Sequence, residues 1–232
     1  MLLFIVAIEV LILLLLSHRL SQILYTIFYL LFKSQSVSVA ILTFVFLPGT
    51  IIHELSHLIL AEVLRVPTGA ISFTPQIEKG QVKLGSVQIG ACDPFRRLVI
   101  GLSPIFFGLF FLSLLVWLFQ HFWPHITGLT WQIGFVVLIG YLLFTVSNNM
   151  FSSQKDLEGF VILIPVLILL LAALYIAGVR INVTGEVLNL IQNILSGLAK
   201  VLGLVSGINL IFLLFNGLIL RGLLRLTPVK HF

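Results

Sequence analysis

The sequence predicts an all-α polytopic membrane protein with about six transmembrane helices and a small membrane-adjacent β-hairpin. Three observations predict it. The 232 residues are 59% hydrophobic and only 9% charged, with a mean hydropathy of +1.20, outside the range of water-soluble domains. Several apolar runs reach or approach the roughly 20 residues that cross about 30 Å of hydrocarbon. The polar stretches between them are short, and no repeat, low-complexity tail or soluble insertion such as a PDZ domain interrupts them. The expectation is a single membrane-embedded domain over residues 1–232.

Taken in order, the candidate spans are 2–17, 38–66, 96–118, 131–147, 160–178 and 202–220. Residues 20–32 form a further apolar segment, readable as a seventh span, a half-span or an interfacial helix. The opening "MLLFIVAIEVLILLLLSHRLSQ" has no basic region before its apolar stretch and no small-residue cleavage site, and reads as a retained membrane helix. His18 and Arg19 read as the interfacial end of that span. Between the second and third spans, Ile71/Phe73, Val82/Leu84 and Val87/Ile89 alternate with polar residues and Lys79-Gly80 offers a turn, the pattern of a β-hairpin or small sheet beside the membrane. Residues 183–203 place Glu186, Asn189, Gln192, Asn193 and Ser196 partly on one side, as an amphipathic interfacial helix would.

A net charge of +5 could indicate nucleic acid, but the thirteen Lys and Arg stand singly or in pairs between apolar runs. They suit topology instead. With 67–95, 148–159 and 221–232 on the cytoplasmic side, that side and its bordering helix ends hold Arg65, Lys79, Lys83, Arg96, Arg97, Lys155, Arg221, Arg225 and Lys230. The other side keeps Arg19, Lys33, Arg180 and Lys200, and 120–132 has neither Lys nor Arg but offers Trp123 and Trp131 as interfacial anchors. His121 and His125 flank this far-side stretch. The lone Cys92 excludes an internal disulfide and a thiolate metal site.

Against this background "HELSH", residues 53–57, stands out. On a helix, His53 and His57 at i and i+4 present two imidazoles to a common point, and Glu54, about 100° around, can reach a water on the bound metal. Two neutral imidazoles suit Zn²⁺. A random chain of this composition contains H-E-x-x-H about 0.4% of the time, and a bilayer disfavours an intramembrane Glu without a task. Catalytic zinc sites commonly have three protein ligands. The chain has two aspartates, and Asp156 sits in the polar segment "SNNMFSSQKDLEGF", which the topology returns to the His57 face. Asp156 is the candidate third ligand; Glu158 is its rival, and a solvated carboxylate beside Lys155 is the plain alternative.

These residues together resemble the site-2 protease family of intramembrane zinc metalloproteases, in its small form without a PDZ domain. The HExxH lies on an early helix, and Asn148 and Asp156 have the eight-residue spacing of the family's second motif. Phe151 stands where that motif has Pro, and Gly159 follows the Asp by three residues instead of one. "IGLSPIFFG", 100–108, is similar to the small-residue and Pro stretch of the family's intervening helix. The resemblance covers 38–160; the flanking helices 2–32 and 160–220 add nothing to it. It implies a three-helix catalytic core of 38–66, 96–118 and 131–158, one zinc per chain on His53, His57 and Asp156, and water access from the cytoplasmic side.

It further implies an intramembrane endopeptidase that cuts within or next to transmembrane segments of membrane proteins, with Glu54 as general base. Asn148, or Asn149, would donate to the oxyanion; an asparagine pair at a helix end is equally a cap or turn. The 71–90 hairpin could receive an unwound substrate as an added strand, or could simply shield the site. Two readings compete. A prenyl-protein-processing type of metalloprotease would use Glu158 as ligand. A non-proteolytic scaffold, or a metal or proton transporter, would carry a vestigial HExxH. Glu9, in the first apolar run, is an intramembrane ionisable group near a helix end, and Glu62 and Arg65 are placed to pair at the membrane edge.

Overall fold

The structure, a computed structural model, describes residues 1–73, 76–78, 81–151, 165–166, 169–170, 172–178 and 185–226, with 76–78 and 81–83 described for their backbone. Among the described residues, five helices are long and apolar enough to cross a membrane, as the apolar runs require. They are α1 (Leu2–Phe32), α2 (Gln35–Val63), α3 (Pro94–Phe122), α4 (Leu129–Asn149) and α5 (Glu186–Leu226). Of the sixth expected span, 160–178, residues 165–166, 169–170 and 172–176 are helical and 177–178 form a turn; the others lie outside the described residues.

Local chemistry sets the boundaries. Lys33 adopts a left-handed conformation (φ 50°) that ends α1, and Ser34 then caps α2 by accepting from the Val37 N–H. At the other end of α2, Arg65 is also left-handed (φ 55°). The Val66 N–H reaches back to the Ala61 carbonyl at 2.9 Å, and Val66 buries against Ala61 and Ile100, a Schellman-type stop completed by Pro67. Asp93 caps α3, accepting from the Arg96 N–H at 3.0 Å, with Pro94 in the first turn. That role, and a 3.2 Å ion pair to Arg96, accounts for the chain's other aspartate.

Two helix extents and one side-chain pairing differ from the sequence reading. Residues 20–32 are no separate segment: α1 runs unbroken from 2 to 32, because no Gly or Pro interrupts 17–22. His18 and Arg19 therefore lie midway along a helix, with the His18 ring 3.0 Å from the Gln22 amide. The amphipathic stretch at 186–200 is continuous with the last span, in one helix of 41 residues. Finally, the Glu62 carboxylate is held by the Thr68 hydroxyl (2.7 Å) at the start of the sheet region, and no Glu62–Arg65 ion pair occurs among the described residues.

Helices α2, α3 and α4 pack mutually, while α1 lies most extensively along α5. Where α2 crosses α4, a Cβ on Gly49 would lie 2.1 Å from the Thr145 carbonyl oxygen, so the two backbones meet with no room for a side chain. One apolar cluster joins α1, α3, α4 and α5 through Leu13, Leu112, Leu143, Val146, Leu202 and Val205. A second joins Leu20, Leu24, Leu42, Phe46 and Phe144 with Leu84.

Leu84 belongs to the sheet region. β1 (Thr68–Ser72) pairs antiparallel with β4 (Ser86–Ile89), and β2 (Gln76–Glu78) with β3 (Gln81–Lys83). The β2–β3 pair lies between β1 and β4 in chain order, and the expected turn at Lys79-Gly80 lies outside the described residues. Between β3 and β4 the ladder is interrupted, and there Leu84 and Gly85 are buried. The hairpin is thus not merely beside the helices; its return strand dips into them.

Candidate metal centre

His53, Glu54 and His57 lie in the last third of α2, all about 95% buried. The helix brings the two imidazoles together as their spacing requires: ring centroids are 4.9 Å apart and the planes nearly perpendicular, at 85°. Neighbouring helices hold them. His57 Nδ1 is 2.9 Å from the Ile100 carbonyl oxygen on α3 and 3.3 Å from Ser103 Oγ. A carbonyl only accepts, so Nδ1 carries the proton and Nε2 the lone pair that a metal needs. Donation from the other ring nitrogen to a backbone carbonyl is the usual way a metal-ligating histidine is oriented. Ser103 Oγ also donates to Ile100 O at 2.7 Å and lies 3.2 Å from Ser56 Oγ.

Glu54 is covered by the hairpin. A Cβ on Gly85 would fall 2.8 Å from Glu54 Oε1 and 2.9 Å from both Glu54 Cγ and Thr50 Cγ2, so the backbone at 85 rests directly on the carboxylate. Only glycine permits that approach.

The two asparagines at the end of α4 face different ways. Asn149 faces α2: its Nδ2 donates to Thr145 O (2.8 Å) and Phe46 O (3.4 Å), and Thr50 Oγ1 donates to its Oδ1 at 3.2 Å. Asn148 faces α5, with Nδ2 donating to Phe144 O (2.7 Å) and Asn209 Oδ1 (2.6 Å). Asn209 in turn donates to Ser147 Oγ at 2.9 Å. Both amide hydrogens of Asn148 are thereby engaged, so service as an oxyanion donor requires one of these bonds to break. Its Oδ1 is buried and has no hydrogen-bond partner among the described residues.

Asp156 and its rival Glu158 lie outside the described residues. Among those described, no group of three or more His, Cys, Asp or Glu is arranged to hold a metal ion. The structure does bring the end of α4, which leads into that segment, against α2 one turn from His53. His121 and His125 sit at the opposite end of α3, where His121 stacks on Trp117, some twenty residues and about 30 Å from Ile100. Sequence reasoning missed Ser103, Gly85, Thr50 and Asn209. Of these, only Ser103 and Gly85 left a signal, a small residue beside a membrane proline and a glycine within a strand pattern.

No protein-family model, curated protein or solved structure matches the chain. Fold and composition make it a multi-pass membrane protein; the chemistry rests on the residues themselves.

Proposed function

We propose that the chain is an intramembrane zinc endopeptidase that hydrolyses peptide bonds within or next to transmembrane segments of membrane proteins. The observation that carries this reading is the paired imidazoles of His53 and His57, with His57 fixed through Nδ1 by Ile100 O and the buried carboxylate of Glu54 beside them. The donor set fits zinc: two imidazoles buried in an apolar helix bundle, one with its tautomer selected. His53 and His57 would hold the ion, with Asp156 as third ligand. When bound, zinc supplies Lewis acidity toward the scissile carbonyl and toward the attacking water.

The chain's own residues do the rest. Glu54 takes the proton of the attacking water and returns it to the leaving amine nitrogen. Gly85 lets backbone approach that carboxylate, which excludes bulk water. Asn148 and Asn149 tie the end of α4 to α5 and α2, and so fix where the following segment departs. The charge distribution supports an opening toward the cytoplasmic side.

The test is paired. Purified wild type is expected to carry one zinc per chain, His57→Ala and Asp156→Ala substantially less, and Glu54→Gln the full amount. Membrane-protein fragments present with wild type should disappear in cells carrying Glu54→Gln, a loss on the order of 10²-fold or more in rate. Full zinc retention by Asp156→Ala would transfer the ligand role to Glu158. Absence of any Glu54-dependent fragment would instead favour a non-proteolytic scaffold or transporter.

A further inference from the structure

We infer that Pro104 is a positioning residue for the metal site: because it lacks an N–H, it releases the Ile100 carbonyl to the His57 ring and so selects which imidazole nitrogen is presented to the metal. The inference rests on the zinc reading above and deepens it.

In an α-helix the carbonyl of residue i accepts from the N–H of residue i+4. For Ile100 that residue is Pro104, which has no N–H to give. Ile100 is 1% exposed and Pro104 fully buried, so bulk water does not replace the missing donor. Two side chains do so instead: Ser103 Oγ at 2.7 Å and His57 Nδ1 at 2.9 Å. A carbonyl oxygen offers two lone pairs. Two donors therefore match two acceptor sites, and the match depends on there being no third.

Restoring a backbone N–H at position 104 would give three donors for two lone pairs. The helix bond is the least adaptable of them, being fixed by the backbone, and Ser103 is intrahelical as well. The contact that yields is the one between helices, from His57. Without its carbonyl the ring is freer to rotate or to carry its proton on Nε2, the form that cannot bind a metal through that atom. A proline that ordinarily weakens a helix here frees the Ile100 carbonyl to accept from the His57 ring.

The test uses the full-length protein in detergent. Pro104→Ala is expected to weaken zinc binding about 10–100-fold, the usual effect of losing a second-shell partner, measured by competition with a chelator of known affinity. Thermal unfolding of the zinc-free protein should not fall, since alanine is the better helix former. Long-range ¹H–¹⁵N spectra of zinc-free protein should show the His57 Nε2–H tautomer increasing. Adding Ser103→Ala to Pro104→Ala removes one competing donor and should restore most of the affinity. Pro104→Leu carries the same N–H and serves if alanine leaves a void.

Wild-type zinc affinity and tautomer in Pro104→Ala and Pro104→Leu would overturn the inference. So would an affinity loss that Ser103→Ala deepens instead of relieving. His57→Ala separates the two levels: if it retains full zinc, the metal reading itself fails; if it loses zinc while the Pro104 variants keep theirs, only the role of Pro104 fails.

Discussion

A methyl group at position 85 would press on Glu54 at 2.8–2.9 Å, against Cγ as well as Oε1. Rotating the carboxylate end alone cannot relieve the contact, so either the hairpin lifts or Glu54 is displaced. Gly85→Ala is therefore expected to retain zinc and fold but to lose roughly 100-fold in turnover, the scale on which a displacement of about 1 Å acts in a positioned site; kinetic comparison with wild type at equal zinc content checks this. At this scale the sequence was partly legible. His53, Glu54 and His57 are related by helical spacing alone, so their juxtaposition follows from four consecutive peptide units. Ser103 and Gly85 reach the same point through packing of separate elements, and nothing in their local sequence specifies the partner. Asn148 and Asn149 were legible as a polar pair, but which faces α2 depends on the rotation of α4.

Between elements, the closest constraint is the α2–α4 crossing at Gly49. Its Cβ position lies 2.1 Å from a backbone oxygen and 2.6 Å from Asn149 Nδ2, and backbone cannot step aside as a side chain can. Gly49→Ala is expected to cost about 1–3 kcal/mol, as overpacking does, and to weaken zinc retention because the end of α4 is pushed away from α2. Gly140, whose added Cβ would meet nothing within 4 Å among the described residues, is the control: Gly140→Ala should be neutral or slightly stabilising in thermal unfolding. The α4–α5 link is a different kind of joint. Asn209→Leu leaves the Asn148 amide and Ser147 hydroxyl short of partners, with an expected cost of about 1–2 kcal/mol. Helices were legible as elements because their apolar runs are long. Their ends were not, since α1 and α5 carry polar residues across the point where hydrophobicity lapses, and helix propensity continues where hydropathy stops.

At the scale of the molecule, five apolar helices and a proposed orientation make a simple topological expectation. Cys92 is the chain's one cysteine, half-buried at the sheet side of α3. A membrane-impermeant maleimide should modify it in inverted vesicles and not in intact cells, whereas a cysteine introduced at Thr127 in a Cys92→Ser background should show the reverse. Helix α5 adds a dimension that hydropathy alone did not indicate: 41 residues extend about 60 Å, twice the thickness of the hydrocarbon.

The interruption between β3 and β4 also has a thermodynamic meaning. Under the proposed function, a peptide bond brought to Glu54 would take the place that Gly85 holds, and Gly85 cannot leave without its neighbour Leu84, which is clustered with Phe46, Phe144, Leu20 and Leu24. Exposing a buried leucine costs about 1.5–3 kcal/mol. If that is the main cost of opening, the receptive form is roughly 1–10% of molecules, and apparent substrate affinity is reduced by the same fraction. Leu84→Ala should then lower the apparent KM by about tenfold while leaving zinc content unchanged. On this arithmetic the proposed endopeptidase would be latent by default, and a substrate that supplied its own apolar side chain to the vacated pocket would select itself.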